Sequence, residues 1–274
     1  MAAVRRARVQ PAGVLSLRRR LYLAAWRLSH RGGGRWCPAC GATFHLFAPY
    51  GDPARADAQC AACGSLERHR ALWLFLERYT QCLRLPLRVL AVAPDSYLER
   101  RSADLPWDYL SIDVEPGKAM RRMDLTALSL PDGDRDLVIA YHVLEHIRSD
   151  RSALGEIRRI LRPDGMAILE VPLEGDETDE RYVDAPAGVR ARHYGQPDHV
   201  RLYGERDFRQ RLSDAGLRSR PIRVGDVFPD ELERSGLMPG EKFFVAEVDS
   251  ASSRQHEYGA PLAVRRTATP TGLS

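Results

Sequence analysis

The chain has 274 residues, of which 44% are apolar, enough for one large α/β domain and a small accessory module. Its net charge of +4 is uneven, because residues 1–35 carry nine arginines and no acid and leave the other 239 residues near −5. No uncharged apolar run approaches the ~18 residues that span a bilayer, and the run 21–26 is too short for a secretory signal. These features exclude a bilayer-spanning segment, and we expect a globular, cytoplasmic protein.

Residues 1–35 are predicted to form a basic amphipathic arm. Its apolar residues recur at helical spacing, and its arginines lie elsewhere around the same helix. Such a helix suits peripheral contact with an anionic membrane or with nucleic acid, or alternatively packing on its own domain with a solvated arginine face. Three consecutive glycines at 32–34 predict a flexible hinge after it.

Two Cys-x-x-Cys pairs follow the arm, separated by 19 residues, and each pair precedes a glycine. Pairs of this kind form two tight knuckles whose thiolates meet around one Zn²⁺. Disulfides are disfavoured in a reducing cytoplasm, and a redox dithiol is disfavoured because there are two pairs without a thioredoxin-like context. Four thiolates leave no open coordination position, so the predicted zinc is structural. The predicted ligands are Cys37, Cys40, Cys60 and Cys63.

Residues 36–84 therefore comprise a zinc knuckle and a connecting helix, with Ser65 as the expected cap. From 85 to 249 strand and helix patterns alternate, and the apolar run after Asp136 is typical of a strand covered on both faces. This alternation predicts an α/β fold with a doubly wound, mostly parallel sheet. Residues 250–274 are rich in Ser, Thr, Pro and Arg, which predicts a disordered tail.

Reactive side chains follow the central apolar run where open α/β sheets bind ligands, just beyond the carboxyl end of the strand. They are Tyr141, His142, Glu145 and His146. The stretch 142–146 also fits an inverted metalloprotease pattern, but that site needs both histidines on one helix. The strand that precedes them argues against a peptidase.

Three blocks of sequence, 124–133, 136–147 and 157–172, occur in a specific order and spacing. Together they closely resemble the class I methyltransferases of the type 11 group, which depend on S-adenosylmethionine (SAM). The stretch 63–70 also resembles a zinc-bearing N-terminal segment that accompanies some of these enzymes. The resemblance implies a Rossmann-like domain over 85–249 that binds SAM, and residues 67–70 either face its cleft or form a solvated helix face.

The resemblance also implies a set of cofactor-binding residues. Asp113 ends a strand about 20 residues after the first turn, where an acid accepts ribose hydroxyls, and the family match gives it the same role. Asp124 and Leu125 are expected beside the adenine, and Tyr141 with His142 beside the cofactor and substrate. The family's glycine-rich turn is replaced by Ala93, Pro94 and Asp95. We expect Asp95 to accept a hydrogen bond from the cofactor ammonium.

The candidate catalytic residues are general bases, which matter if the acceptor is a hydroxyl or a protonated amine. They are Glu145, His146 and His199. His199 lies in a long segment, 173–204, that is predicted to be a loop acting as a lid, and the part around 198–203 is similar to a segment of the zinc-bearing type 11 group. We expect it to border the substrate pocket.

These observations predict a SAM-dependent methyltransferase whose acceptor is a small molecule or saccharide in preference to a macromolecule. One alternative is a non-catalytic protein with the SAM-binding fold, because the glycine-rich turn is missing. Another is an RNA methyltransferase that uses the basic arm and zinc knuckle. The sequence does not indicate an oligomeric state.

Overall fold

The computed structural model describes residues 17–51 and 53–249, so the expected tail at 250–274 lies outside the described residues. Seven strands form the main sheet. In spatial order they are Arg121–Arg122 (β7), Asp108–Asp113 (β6), Arg88–Val92 (β5), Arg135–Tyr141 (β8), Leu161–Glu170 (β9), Lys242–Val248 (β11) and Leu217–Arg223 (β10). Strands β5 to β9 pair in parallel, and β11 runs antiparallel to both neighbours. The predicted α/β fold with a mostly parallel sheet is confirmed.

Helices cover both faces of this sheet. The helices of the main domain are Ser96–Ser102 (α3), Asp150–Ile160 (α4), Ala187–Tyr194 (α5), Glu205–Asp214 (α6) and Val224–Val227 (α7), with 3-10 turns at Leu144–His146 and Pro229–Glu231. Successive side chains of a strand point to opposite faces. Leu90 accordingly packs in a core with Ile157 and Phe208, whereas Val89 packs in the core of the other face.

The N-terminal module is built from short elements. They are Leu17–Ser29 (α1), Arg31–Trp36 (β1), Thr43–Phe44 (β2), Ala48–Tyr50 (β3), Arg55–Gln59 (β4) and Glu67–Tyr79 (α2). The predicted hinge at 32–34 is wrong, because these glycines lie within β1, which pairs with β2. Gly32 has a φ of +154°, and a Cβ there would collide with the His45 ring. Glycine thus permits close packing at this position.

Helix α1 packs on the N-terminal module. Leu23 is buried, Arg19 donates to the Pro49 carbonyl oxygen at 2.7 Å, and the Trp26 indole donates to the Leu46 carbonyl oxygen at 3.1 Å. Leu17 and Leu28 are about 70% exposed. Contact of this helix with a membrane or nucleic acid stays a prediction. Within 17–51 and 53–249, no helix has both the length and the apolar character needed to cross a membrane.

Helix α2 joins the module to the sheet. It begins at Glu67, one residue later than a Ser65 cap would place it, and the His69 ring nitrogen Nδ1 accepts the Leu66 amide at 3.1 Å. Most of its side chains are buried, including charged ones. Phe75 belongs to a single apolar core that runs from Phe47 in the module to Val89 in the sheet. The module and the sheet therefore share one core.

Arg70 on α2 is fully buried and holds distant segments together. Its guanidinium donates to four carbonyl oxygens, those of Ala58, Ser65, Ser235 and Gly236, at 2.6 to 3.0 Å. It also lies 4.1 Å from the centre of the Phe47 ring. Burial lowers the pKa of Arg70, because removal from water disfavours the charged guanidinium. The four hydrogen bonds replace the water that it loses. The residue is a structural bridge between the module and the C-terminal segment.

Replacing Arg70 with Met should lower the free energy of unfolding by about 3–5 kcal/mol, because it leaves buried carbonyl groups without donors. Arg84→Met is the matched control, since Arg84 is exposed just after the same helix, and should change stability by less than about 1 kcal/mol. Urea denaturation of both variants measures the difference. Equal stability of the two would contradict the role of Arg70.

Candidate functional site

The turn after β5 is the first part of the candidate site. Ala93 has a φ of +44°, in the left-handed region that favours glycine, and its amide donates to the Ile112 carbonyl oxygen at 2.8 Å. An alanine in this conformation carries strain of about 1 kcal/mol or more. The turn therefore has the backbone conformation of a glycine turn although no glycine is present. Pro94 follows, and Asp95 stands at the N-cap position of α3.

Asp95 is held by two side chains of α2. Its carboxylate lies 2.9 Å from the Arg68 guanidinium and 2.7 Å from Nε2 of His69. Burial would raise the pKa of Asp95, but the hydrogen bonds from His69 and Arg68 and the positive charge of Arg68 outweigh it, and the pKa lies below its usual range. A cofactor ammonium would have to share this carboxylate with both residues.

A cavity of about 260 Å³ lies between this turn and the N-terminal module. Three predicted cofactor residues line it together, Pro94, Asp95 and Asp113. The opposite wall comes from the module and includes Tyr50, Gln59, Leu66 and His69. The contribution of the module has no signal in the sequence apart from the resemblance of 63–70, because it depends on long-range packing of α2.

The remaining predicted nucleotide contacts lie at the ends of β6 and β7. Asp113 is half-buried, and its Oδ1 accepts the Glu115 amide at 2.8 Å. Asp124 is exposed, and its Oδ1 accepts both the amide and the hydroxyl of Thr126 at 2.8 Å. Leu125 is only 2% exposed and packs in the core. Asp113 is thus the member of this group that lines the cavity.

The polar residues after β8 form a compact turn at the carboxyl end of the sheet. His142 has a φ of +53°, and its ring lies 3.2 Å from Oε1 of Glu145 through Nδ1 and 3.7 Å from Oε1 of Glu170 through Nε2. Tyr141 packs against the core beneath it, where burial raises the pKa of its hydroxyl well above the usual value. This arrangement places ionisable groups at the switch point between β5 and β8.

The segment 173–204 folds over this turn and is not the structureless loop that its length predicts, since it contains α5 and pairs back on itself. Buried Arg201 donates to the Leu144 and Arg148 carbonyl oxygens at 3.0 and 2.8 Å. His199 is thereby fixed with its Nε2 4.0 Å from Oε1 of Glu145, and its ring stands edge-on to that of His146. The three predicted bases lie together.

Three further polar residues that the sequence analysis does not single out lie close to this site: Tyr97 lines the cavity, and Glu170 and Glu241 interact with Arg68. Glu170 and Glu241 lie near Arg68. Burial is the main cause that raises the pKa of both, and repulsion adds to it, from Glu241 for Glu170 and from Glu67 for Glu241. The pKa of Glu241 rises to about 7. The Arg68 Nε, the Tyr97 and Tyr141 hydroxyls and one oxygen of each glutamate are buried without a hydrogen-bond partner in the described part of the chain. Of Tyr97, Glu170 and Glu241, Glu170 could have been found from the sequence, because it is an acid directly after the apolar run 166–169.

The four cysteines of the two pairs meet in one cluster. Their sulfur atoms all lie within 4.8 Å of one another, with 3.7 Å between Cys37 and Cys63 and 3.8 Å between Cys40 and Cys60. Zinc–sulfur bonds of about 2.3 Å in a tetrahedron place the sulfurs about 3.8 Å apart. All four are free thiols. The spacing therefore fits a four-thiolate zinc site.

The chain was compared with known proteins, solved structures and family models. No curated protein matches the chain. A SAM-dependent methyltransferase from Archaeoglobus fulgidus is 16% identical, with 62% of this chain and 90% of that chain covered and a TM-score of 0.45. The YcgJ protein from Bacillus subtilis is 15% identical, with 66% and 100% covered and a TM-score of 0.46. A family model described as a methyltransferase domain matches residues 32–220. Because this match spans well over half of the chain, the chain belongs to the methyltransferase domain family. The predicted resemblance is confirmed.

Proposed function

We propose that this protein transfers a methyl group from SAM to a small polar acceptor. The observation that carries the proposal is the cavity that brings Pro94, Asp95 and Asp113 together at the carboxyl ends of β5 and β6. In open α/β sheets this edge, next to the switch in strand order, is where nucleotides bind. Membership of the methyltransferase domain family supports the same cofactor.

The residues present fit SAM at this edge. The Asp113 carboxylate offers acceptors for the two ribose hydroxyls, and Asp124 stands at the next strand end for the adenine amine. The left-handed turn at Ala93 has the φ of a glycine turn, and its side chain adds only a methyl group. Bound SAM supplies an activated methyl group on a sulfonium.

The protein's own part in this chemistry is alignment and exclusion of water. Displacement at the methyl carbon needs the acceptor in line with the breaking bond, so a rigid pocket is worth more than an additional reactive group. Leu66 and His69 of the module cover one side of the cavity, and Arg201 fixes the segment over the other end of the cleft. Both walls would keep bulk water from the reacting atoms.

The acceptor is proposed to be small and polar, with saccharides included. The unpaired atoms of Arg68, Tyr141 and Glu170 are buried, and a buried polar group without a partner is costly, so a polar ligand would relieve them. Their burial suits a small molecule better than a macromolecule. Glu145, His146 or His199 would take a proton if the acceptor is a hydroxyl or a protonated amine.

Each of the two alternative functions predicts a different binding behaviour. A non-catalytic protein of this fold would bind SAM without turnover, or not bind it. An RNA methyltransferase that uses α1 and the cysteine module would show binding that weakens strongly between about 50 and 200 mM salt. Cytoplasmic location and peripheral membrane contact through α1 belong to the proposal as predictions.

We also propose that the cysteine cluster holds one structural zinc ion. The four-thiolate set fills the tetrahedron, so it would do no chemistry and would stabilise the module. Cys37 and Cys60 are fully buried, and Ser65 lies against the sulfurs of Cys37 and Cys63 at 3.3 and 3.1 Å.

Replacing Cys60 with Ser should release zinc and destabilise the module, because metal binding is coupled to folding of so small a unit. Metal analysis should find at least about one zinc per chain in the freshly purified wild type and about one zinc fewer in the variant. Cys82→Ala, which removes the buried thiol outside the cluster, should keep the metal. A zinc-free wild type would refute the assignment.

Replacing Asp113 with Ala should weaken SAM binding by about ten- to several hundred-fold, because charge-assisted hydrogen bonds are worth about 1.5–3 kcal/mol each. The fold should survive, since the carboxylate is half-buried at a strand end. Titration calorimetry with SAM measures the change.

The matched control is Asp108→Ala, at the opposite end of the same strand, where the side chain is 72% exposed. Its SAM affinity should equal that of the wild type. Equal affinity in the Asp113 variant would sink the assignment and favour the non-catalytic alternative.

A further inference from the structure

We propose that Glu145, His146 and His199 bind a divalent cation beyond the carboxyl end of β8, separate from the cysteine cluster. One ligand atom from each residue lies within 4.8 Å of the others. Two imidazoles and one carboxylate form a donor set that binds first-row divalent metals and leaves positions open. Bases that merely accept protons do not require such convergence.

His199 is prepared as a ligand. It is 3% exposed, and its Nδ1 lies 2.9 Å from the Tyr194 carbonyl oxygen, which can only accept a hydrogen bond. Nδ1 therefore carries the proton, and Nε2 presents its lone pair toward Glu145. This is the hydrogen bond that typically orients a metal-bound histidine. Nε2 itself is buried and has no hydrogen-bond partner in the described segments.

Glu145 supplies the negative charge. Its side chain is fully buried, and only Oε1 is engaged, at 3.2 Å from the His142 ring. Oε2 has no hydrogen-bond partner among residues 17–51 and 53–249. A hydrogen-bonded turn would explain the contact with His142, but it leaves Oε2 of Glu145 and Nε2 of His199 unused. A cation between them satisfies both atoms.

His146 completes the set. Its Nδ1 lies 3.2 Å from the Asp198 carboxylate, so an acid is available either to orient this ring or to join the ligands. Metal–ligand bonds of about 2.1 Å bring donor atoms to about 3.0–3.4 Å from one another, so the side chains must close by about 1 to 2 Å. His146 is 33% exposed and Asp198 64%, so this closure is open to them.

The site would also define the acceptor, an inference that rests on the proposed methyl transfer. The 3-10 turn that carries Glu145 follows β8. Strand β8 lies beside β5, which ends at the turn formed by Ala93, Pro94 and Asp95. As metal ligands these three residues would not act as general bases. A hydroxyl bound at an open metal position would instead have a lowered pKa and lose its proton to solvent. Its oxygen then forms the bond to the methyl carbon as the carbon–sulfur bond breaks, and the sulfonium becomes a neutral thioether. The acceptor class is therefore an alcohol or phenol.

The test uses the full chain with its cysteine cluster intact and titrates it with Mn²⁺ alone, followed by electron paramagnetic resonance, and with Co²⁺ alone, followed by visible absorption. The wild type should bind one ion in addition to any held by the thiolates. Glu145→Gln and His146→Gln should each weaken that binding at least about tenfold. His146 is partly exposed, so its variant tests the site even if the buried Glu145 variant is unstable.

His193→Gln is the matched control, because His193 is an exposed histidine of the same segment, stacked on Tyr182. It should bind the ion as the wild type does. SAM affinity, measured in parallel, separates the two proposals. A wild type that binds SAM but neither ion, or Glu145 and His146 variants that bind both ions unchanged, would overturn the metal site alone. A wild type that does not bind SAM would instead overturn the proposed function.

Discussion

Helix α2 is buried on nearly every side, and this constraint fixes the position of the other parts. At its first turn Arg68 and His69 contact Asp95, and further along Phe75 packs in the core that reaches the sheet. Arg70 ties it to the knuckle at Ala58 and to the C-terminal segment at Ser235. The cysteine module therefore cannot shift without displacing the wall of the cavity.

The cleft then arises where three elements meet at one edge of the sheet. Parallel strands β5, β6 and β8 end there, which brings Ala93, Asp113 and His142 to one side. Two of these, Ala93 and His142, have left-handed backbone, a strained conformation that ordinarily persists only where the surroundings enforce it. Such strain is commonly concentrated at functional sites.

Local pattern was sufficient to predict the sheet, the cysteine cluster and the polar turn after β8. The apolar run 137–140 and the two Cys-x-x-Cys pairs are determined by neighbouring residues, so their sequence signals are strong. The pairing of Asp95 with Arg68 and His69 of α2 was not predictable, because it joins parts of the chain that no periodicity relates. Likewise, glycines at 32–34 indicate flexibility by composition, whereas they lie in a strand that pairs with β2, and Gly32 packs against the His45 ring. Glu241 comes from a segment distant in sequence and was missed for the same reason.

On the proposed function, the cysteine module forms one wall of the cofactor cavity, a role that can be measured. Its most direct test is the SAM dissociation constant of one protein sample with zinc present, after removal by a chelator, and after zinc is restored. Removal of zinc should lower the SAM affinity at least about tenfold, or about 1.4 kcal/mol, and reconstitution should restore it. The same SAM affinity in the zinc-free protein would contradict it.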